Sequence, residues 1–153
     1  MKFHKLFFII VLIFAIGNIF AQSDTQYYFS KKVNYSFEEA TTKVKATLKE
    51  QGFGIVTELD MDEKIAEKIK DADLKPYKIL GACNPGFALE TLKVEENIGL
   101  FLPCKVLVKQ LEDDQVEVVM VNPSVLMGML GNEELMTVAD EVTKRFKIAL
   151  ENL

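Results

Sequence analysis

The chain predicts a single-domain α+β fold in which helices cover one face of a mostly antiparallel sheet. Three observations predict it. Segments rich in β-branched and aromatic residues, with period-two alternation, take turns with segments whose apolar residues recur every three or four positions. The last two strand segments are separated only by Asp113-Asp114, the length of a hairpin turn, which makes them antiparallel neighbours. No repeat, low-complexity tract or linker interrupts residues 22–153.

Each element carries its own signature. QYYFSKKVNYSF is aromatic, β-branched and partly alternating, as a first strand is. Ser36 followed three residues on by Glu39 forms an S-x-x-E capping box. Phe37, Ala40, Val44 and Leu48 then make one apolar helical face, which Gly52 terminates. FGIVTEL reads as a second strand. Asp60 is placed to cap a second helix, MDEKIAEKIKDA, with Met61, Ile65 and Ile69 as a single inward stripe and its charges in solvent. After Pro76, YKILGAC is a third strand, and Asn84-Pro85-Gly86 is turn chemistry leading into a short helix, FALETLKVEEN. The longest strand candidate is IGLFLPCKVLVKQLED. In it Leu100, Leu102, Cys104, Val106 and Val108 share one parity, while Lys105 and Lys109 take the other. QVEVVMVN pairs back, and NPSVLMGMLGN reads as an apolar loop or lid. The closing helix carries Leu135, Val138, Ala139, Val142, Phe146 and Ala149 along one stripe. The order is βαβαβαββα.

Residues 1–21 are expected to be a signal peptide rather than part of the fold. Lys2, His4 and Lys5 give a positive start, residues 6–16 an apolar core too short to span a bilayer with ease, and Ala21 a small residue for cleavage. Ile19 at the −3 position is bulkier than usual, which leaves the exact cut open by a residue or so; the alternative is an uncleaved N-terminal anchor. Cleavage implies a periplasmic or secreted protein. It also removes two lysines and no acids, taking the net charge from −5 to −7. An acidic chain whose only arginine is Arg145 does not suit nucleic acid, and it has no polybasic patch for an anionic membrane. His4 is the only histidine, so residues 22–153 contain none. That excludes Ser-His-Asp and Cys-His nucleophile systems, histidine zinc sites and CxxCH haem attachment. No GxGxxG, Walker or HExxH pattern is present. Carboxylates are abundant but distributed as on solvated helix faces. The expectation is a non-catalytic protein without a cofactor.

GFGIVTELD, KPYKILGACNPGFALETL, NIGLFLPCKVLV and VNPSVLMGMLGNEELMTVADEVTKRF together resemble the bacterial family called domain of unknown function 302. The resemblance runs in order over nearly all of residues 22–153. It implies a small α+β domain related in shape to TATA-binding-protein-like folds, and members that can form homodimers. The family pattern carries over at Cys83, Asn84 and Pro85, at Leu102, Pro103 and Cys104, and at Pro123. Two positions depart from it: Lys105 stands where many relatives carry Asn, and Asn122 where an Asp often precedes the proline.

Cys83 and Cys104 are the only cysteines, and three readings stay open. In an oxidising compartment they can form a disulfide, worth roughly 3.4 kcal/mol for the loop it would close. Cys104 sits on the apolar parity of its strand, where an unpaired cysteine acts as a small hydrophobe. Two thiolates with a thioether such as Met127 or Met129 suit Cu(I), provided that the third and fourth strands pair antiparallel and bring the cysteines together. The Asn-Pro-Gly turn is either a plain strand-to-helix connection or a loop with free amides facing a ligand. If these motifs meet at one end of the sheet they line one pocket. The candidate ligand site is then Cys83, Asn84, Pro85, Pro103, Cys104, Lys105, Asn122, Met127 and Met129, serving a small ligand or a protein partner. The alternative is a thiol-redox or Cu(I)-handling protein that uses Cys83 and Cys104.

Overall fold

The computed structural model describes residues 26–153; the expected signal segment lies outside them. Five strands, β1 (Tyr28–Val33), β2 (Gly54–Asp60), β3 (Tyr77–Cys83), β4 (Cys104–Glu112) and β5 (Gln115–Val121), form one sheet in the order β1-β5-β4-β3-β2. Every neighbouring pair is antiparallel. The β4–β5 hairpin closes at the Asp113-Asp114 turn, where Asp114 takes a positive φ of 55°. Strand β1 pairs with β5 on one side of the hairpin and β3 with β4 on the other, so the hairpin lies inside the sheet and β1 and β2 form its edges.

Two long helices, α1 (Phe37–Glu50) and the C-terminal α5 (Met136–Glu151), lie on one face. Ser36 starts α1 by accepting from the Glu39 amide at 3.2 Å. Gly52, at φ 84°, ends it. Ala40, Val44 and Leu48 are buried as their spacing requires, with Phe37 partly buried beside them. The α5 stripe behaves alike: Ala139, Val142, Phe146 and Ala149 are buried. All but Ala139 meet Leu80, Val106, Val108, Val116, Val118 and Met120, the inward parity of β3, β4 and β5. Phe146 packs edge-on against Phe53 with ring centroids 4.9 Å apart.

Three elements differ from the sequence expectation. The second helix, α2, is only Met61–Ala66, and none of its residues is buried; Ile69, beyond its end, is 59% exposed. Asp60 does not cap it, and instead its carboxylate pairs with Lys78 Nζ at 2.5 Å. The strand read as beginning near Ile98 begins at Cys104. Residues Glu96–Phe101 wind into a 3-10 helix after α3 (Pro85–Val94), which buries Ile98 and leaves Leu100 87% exposed. Leu102-Pro103 is a cis peptide bond. The expected loop after Asn122 contains α4 (Pro123–Gly128) and a 3-10 turn, Glu133–Leu135. Here Ile98, Met127, Leu135 and Ala139 form a second, smaller core, with Leu102 packed against it.

Candidate functional site

Asn84 holds the β3–α3 junction together with both ends of its amide. Its Oδ1 accepts from the Gly86 and Phe87 amides at 3.0 and 3.2 Å, and its Nδ2 donates to the Gly52 carbonyl at 2.9 Å. The amides that a helix start offers to an anion are therefore already engaged, and Pro85 occupies the first turn without an amide hydrogen to give. Arg145 reinforces the junction. Its guanidinium lies 4.9 Å from the centroid of the Phe87 ring and donates to the Gln51 carbonyl at 3.3 Å. The Asn-Pro-Gly turn is thus a joint between α1, β3 and α3.

With Pro85 at the start of α3, the other eight candidate residues separate into four groups. Cys83, Asn84, Cys104 and Met127 line one small cavity of about 20 Å³ between the sheet and the helices, otherwise walled by apolar groups such as Phe53, Phe87, Leu102 and Val142. The antiparallel β3–β4 register sets Cys104 opposite Ala82, one residue from Cys83. Both thiols are free. Burial pushes the Cys104 thiol up to about 11, with the neighbouring Cys83 adding to the shift. Pro103 and Lys105 belong elsewhere. The Pro103 ring packs on Gly81, and Lys105 Nζ donates back to the Pro103 carbonyl at 2.8 Å. Asn122 is 2% exposed and structural: its Nδ2 donates to the Gln26 carbonyl at 3.0 Å, and its Oδ1 accepts from Thr143 at 3.3 Å. Met129 is 78% exposed and lines none of these cavities. Among the described residues no group of three or more His, Cys, Asp and Glu is placed to hold a metal ion.

The face of the sheet opposite the helices carries a groove whose residues, apart from Lys105, lie outside the candidates drawn from the sequence. Register defines its rows. Ser30, Val119, Leu107, Ile79 and Leu59 are successive cross-strand partners, so an apolar stripe crosses four strands, β5, β4, β3 and β2, and ends at Ser30 on β1. On one side of it run Lys32, Glu117, Lys109 and Tyr77. On the other, Tyr28 pairs with Val121, and Lys105 with Gly81. Tyr27, Tyr28, Tyr77, Lys105, Leu107 and Val121 are among the walls of a concavity of about 420 Å³. Lys109 Nζ and Glu117 lie 2.7 Å apart on its floor, and the Lys109 hydrogen bond holds the Glu117 carboxyl below the usual range. A second cleft of about 180 Å³, lined by Leu100, Phe101, Pro123 and Leu126, shares Lys105 and Val121 with this groove and shares Cys104 and Met127 with the buried cavity. The signal available in the sequence was Leu107 between Lys105 and Lys109, and Val119 and Val121 on the same parity of β5. These are apolar residues on the parity otherwise given to solvent.

Among the described residues no helix is long and apolar enough to cross a membrane. No curated protein matches the chain. A solved structure, the crystal structure of uncharacterized conserved protein DUF302 from Bacillus stearothermophilus, is similar with a TM-score of 0.76 and 31% identity, over 83% of this chain and 98% of that one. The family model described as domain of unknown function DUF302 matches residues 29–153, the whole sheet from its second residue onward together with every helix. The fold, the motif order and both comparisons agree, and the chain belongs to the DUF302 family.

Proposed function

We propose that the protein is an exported, non-catalytic binding domain that holds a small ligand in the groove on the open face of its sheet. The single observation that carries this reading is the apolar pair Val119 and Leu107, set in a concavity of ligand size and flanked by a few polar groups. The polar groups indicate the class of ligand. Tyr27, Tyr28 and Tyr77 offer flat phenol walls, and Glu117 is engaged by Lys109. Lys105 donates to a backbone carbonyl and pairs with no carboxylate among the described ion pairs, so its ammonium has protons left for a ligand. A planar apolar body carrying one anionic group matches these features. The reading needs no histidine, metal or cofactor.

The probe 8-anilinonaphthalene-1-sulfonate has that chemistry, and a fluorescence titration tests the proposal. One saturable site is expected, weakened at least about tenfold by Leu107→Glu, which places a charge in the apolar row, and less by Lys105→Gln. A titration that does not saturate, or that ignores Leu107→Glu in a variant shown to be folded, contradicts it. Sedimentation of the same samples separates the rival occupant, a second copy of the chain: a dimer that dissociates in Leu107→Glu assigns the face to self-association instead.

A further inference from the structure

We infer that the cleft lined by Leu100, Phe101 and Leu126 binds a medium-length alkyl carboxylate, its chain among the apolar walls and its carboxylate on Lys105. The cleft borders the groove and shares Lys105 and Val121 with it, but the inference does not rest on the groove's being a binding site.

The cleft forms where β4 begins and β5 ends. Ile98 is buried in the second core and anchors the 3-10 helix, which leaves Leu100 87% exposed and Phe101 37% exposed at the rim. Val121 is the last residue of β5, and Pro123, Leu126 and Met127 come from α4. Cys104 also borders the cleft, and burial keeps its thiol protonated, so it adds no charge at neutral pH. Among the described residues lining the cleft, Lys105 alone is charged.

The charge of the ligand follows from Lys105. Of the three lysines on β3 and β4, Lys78 pairs with Asp60 and Lys109 with Glu117, whereas Lys105 has no carboxylate among the described ion pairs. Its ammonium donates instead to the Pro103 carbonyl at 2.8 Å, and that carbonyl is bonded to Cys104, a wall of the cleft. The charge therefore stands beside the cleft with two protons left to donate. A lone ammonium against apolar walls selects one anionic group on an apolar body.

The shape follows from the volume. The cleft holds about 180 Å³, less than half of the groove's 420 Å³. At roughly 30 Å³ for a group the size of water, that is room for about six methylenes. A straight chain fits it, and the carboxylate stays outside at Lys105. Such a chain also covers Leu100 and Phe101, apolar side chains that the fold leaves in water.

Calorimetric titration of the purified protein with hexanoate, octanoate and decanoate tests the inference. One saturable site is expected. Affinity should rise about fourfold per methylene, so at least about tenfold from hexanoate to octanoate, and then level off as the chain outgrows the cleft. Octylammonium should bind at least about tenfold more weakly than octanoate, and Lys105→Met should lose a similar factor for octanoate. Leu100→Glu should weaken octanoate by at least about tenfold, and a side chain so exposed leaves the fold intact when changed. Leu107→Glu, in the groove, should leave octanoate binding unchanged, so the failure of either site is read separately. No saturable binding, no dependence on chain length, or equal affinity for octanoate and octylammonium overturns the assignment. So does a dimer, seen by sedimentation, that dissociates in Leu100→Glu, because it gives the cleft to a second copy of the chain.

Discussion

The Pro103 ring lies directly over Gly81: a methyl group placed on Gly81 would come within 2.5 Å of Pro103 Cγ and closer still to Thr57 Oγ1. Both neighbours are fixed, one by its ring and one by its place in β2. Gly81→Ala should therefore cost about 1–3 kcal/mol through overpacking. Gly99→Ala, where no atom lies within 4 Å of the new methyl, should be near neutral. Urea midpoints of the two variants check this, and equal stabilities would contradict the close approach.

Asn84 supports two chain segments with one side chain. Asn84→Ala removes the cap of α3 and the tie to Gly52, and should cost about 1–2 kcal/mol. Asn84→Asp keeps the acceptor for the two amides and loses only the donor, so it should lie between wild type and alanine. Denaturation curves that rank aspartate below alanine would show that the cap contributes little.

The two cysteines should behave differently. Protein isolated without reductant is expected to contain two thiols by mass after alkylation in denaturant. In the native state, half-buried Cys83 should react well before Cys104, which is buried and whose thiol stays protonated. A mass lower by two protons, with neither thiol reactive, would establish the disulfide that this structure does not contain.

The Lys109–Glu117 pair makes a pH prediction. The folded Glu117 carboxyl is held below its ordinary value, so its contribution is present above the unfolded-state value of about 4.5 and is lost as pH falls through the folded one. Glu117→Gln should be less stable than wild type at pH 7, and the gap should close in acid. Chemical denaturation at pH 7 and pH 3 decides it; an unchanged gap would mean that the pair adds nothing to stability.

Sequence periodicity was sufficient where an element answers to its own pattern. The stripes of α1 and α5 are buried as spaced, and the parity of Cys104, Val106 and Val108 holds. It was insufficient where a distant residue decides. Ser124 in α4 has its amide capped by Thr143 of α5, nineteen positions away, at 3.0 Å, which no local signal announces. Leu100 and Leu102 share the parity of β4, but Pro103 has no amide hydrogen to extend the ladder, and burial of Ile98 against Met127 and Leu135 holds the segment as a 3-10 helix. Ile69 offered a helical spacing with no surface to meet. At the site, β3 and β4 do pair antiparallel, but Cys104 falls opposite Ala82, which sets the Cys83 side chain on the other parity, with Gly81 and Ile79. Asn122 and Met129 are near Met127 in sequence but do not share its buried cavity. The groove escaped notice because its lysines made an entire strand parity look solvated.

Backbone amide mapping by NMR during titration with 8-anilinonaphthalene-1-sulfonate tests the central claim most directly, since it locates the bound probe without any substitution. A ligand held in the groove gives saturable shifts at Tyr28, Tyr77, Lys105, Leu107, Val119 and Val121. Shifts confined to exposed apolar residues outside the groove, Leu100, Met129 and Leu130, would contradict it.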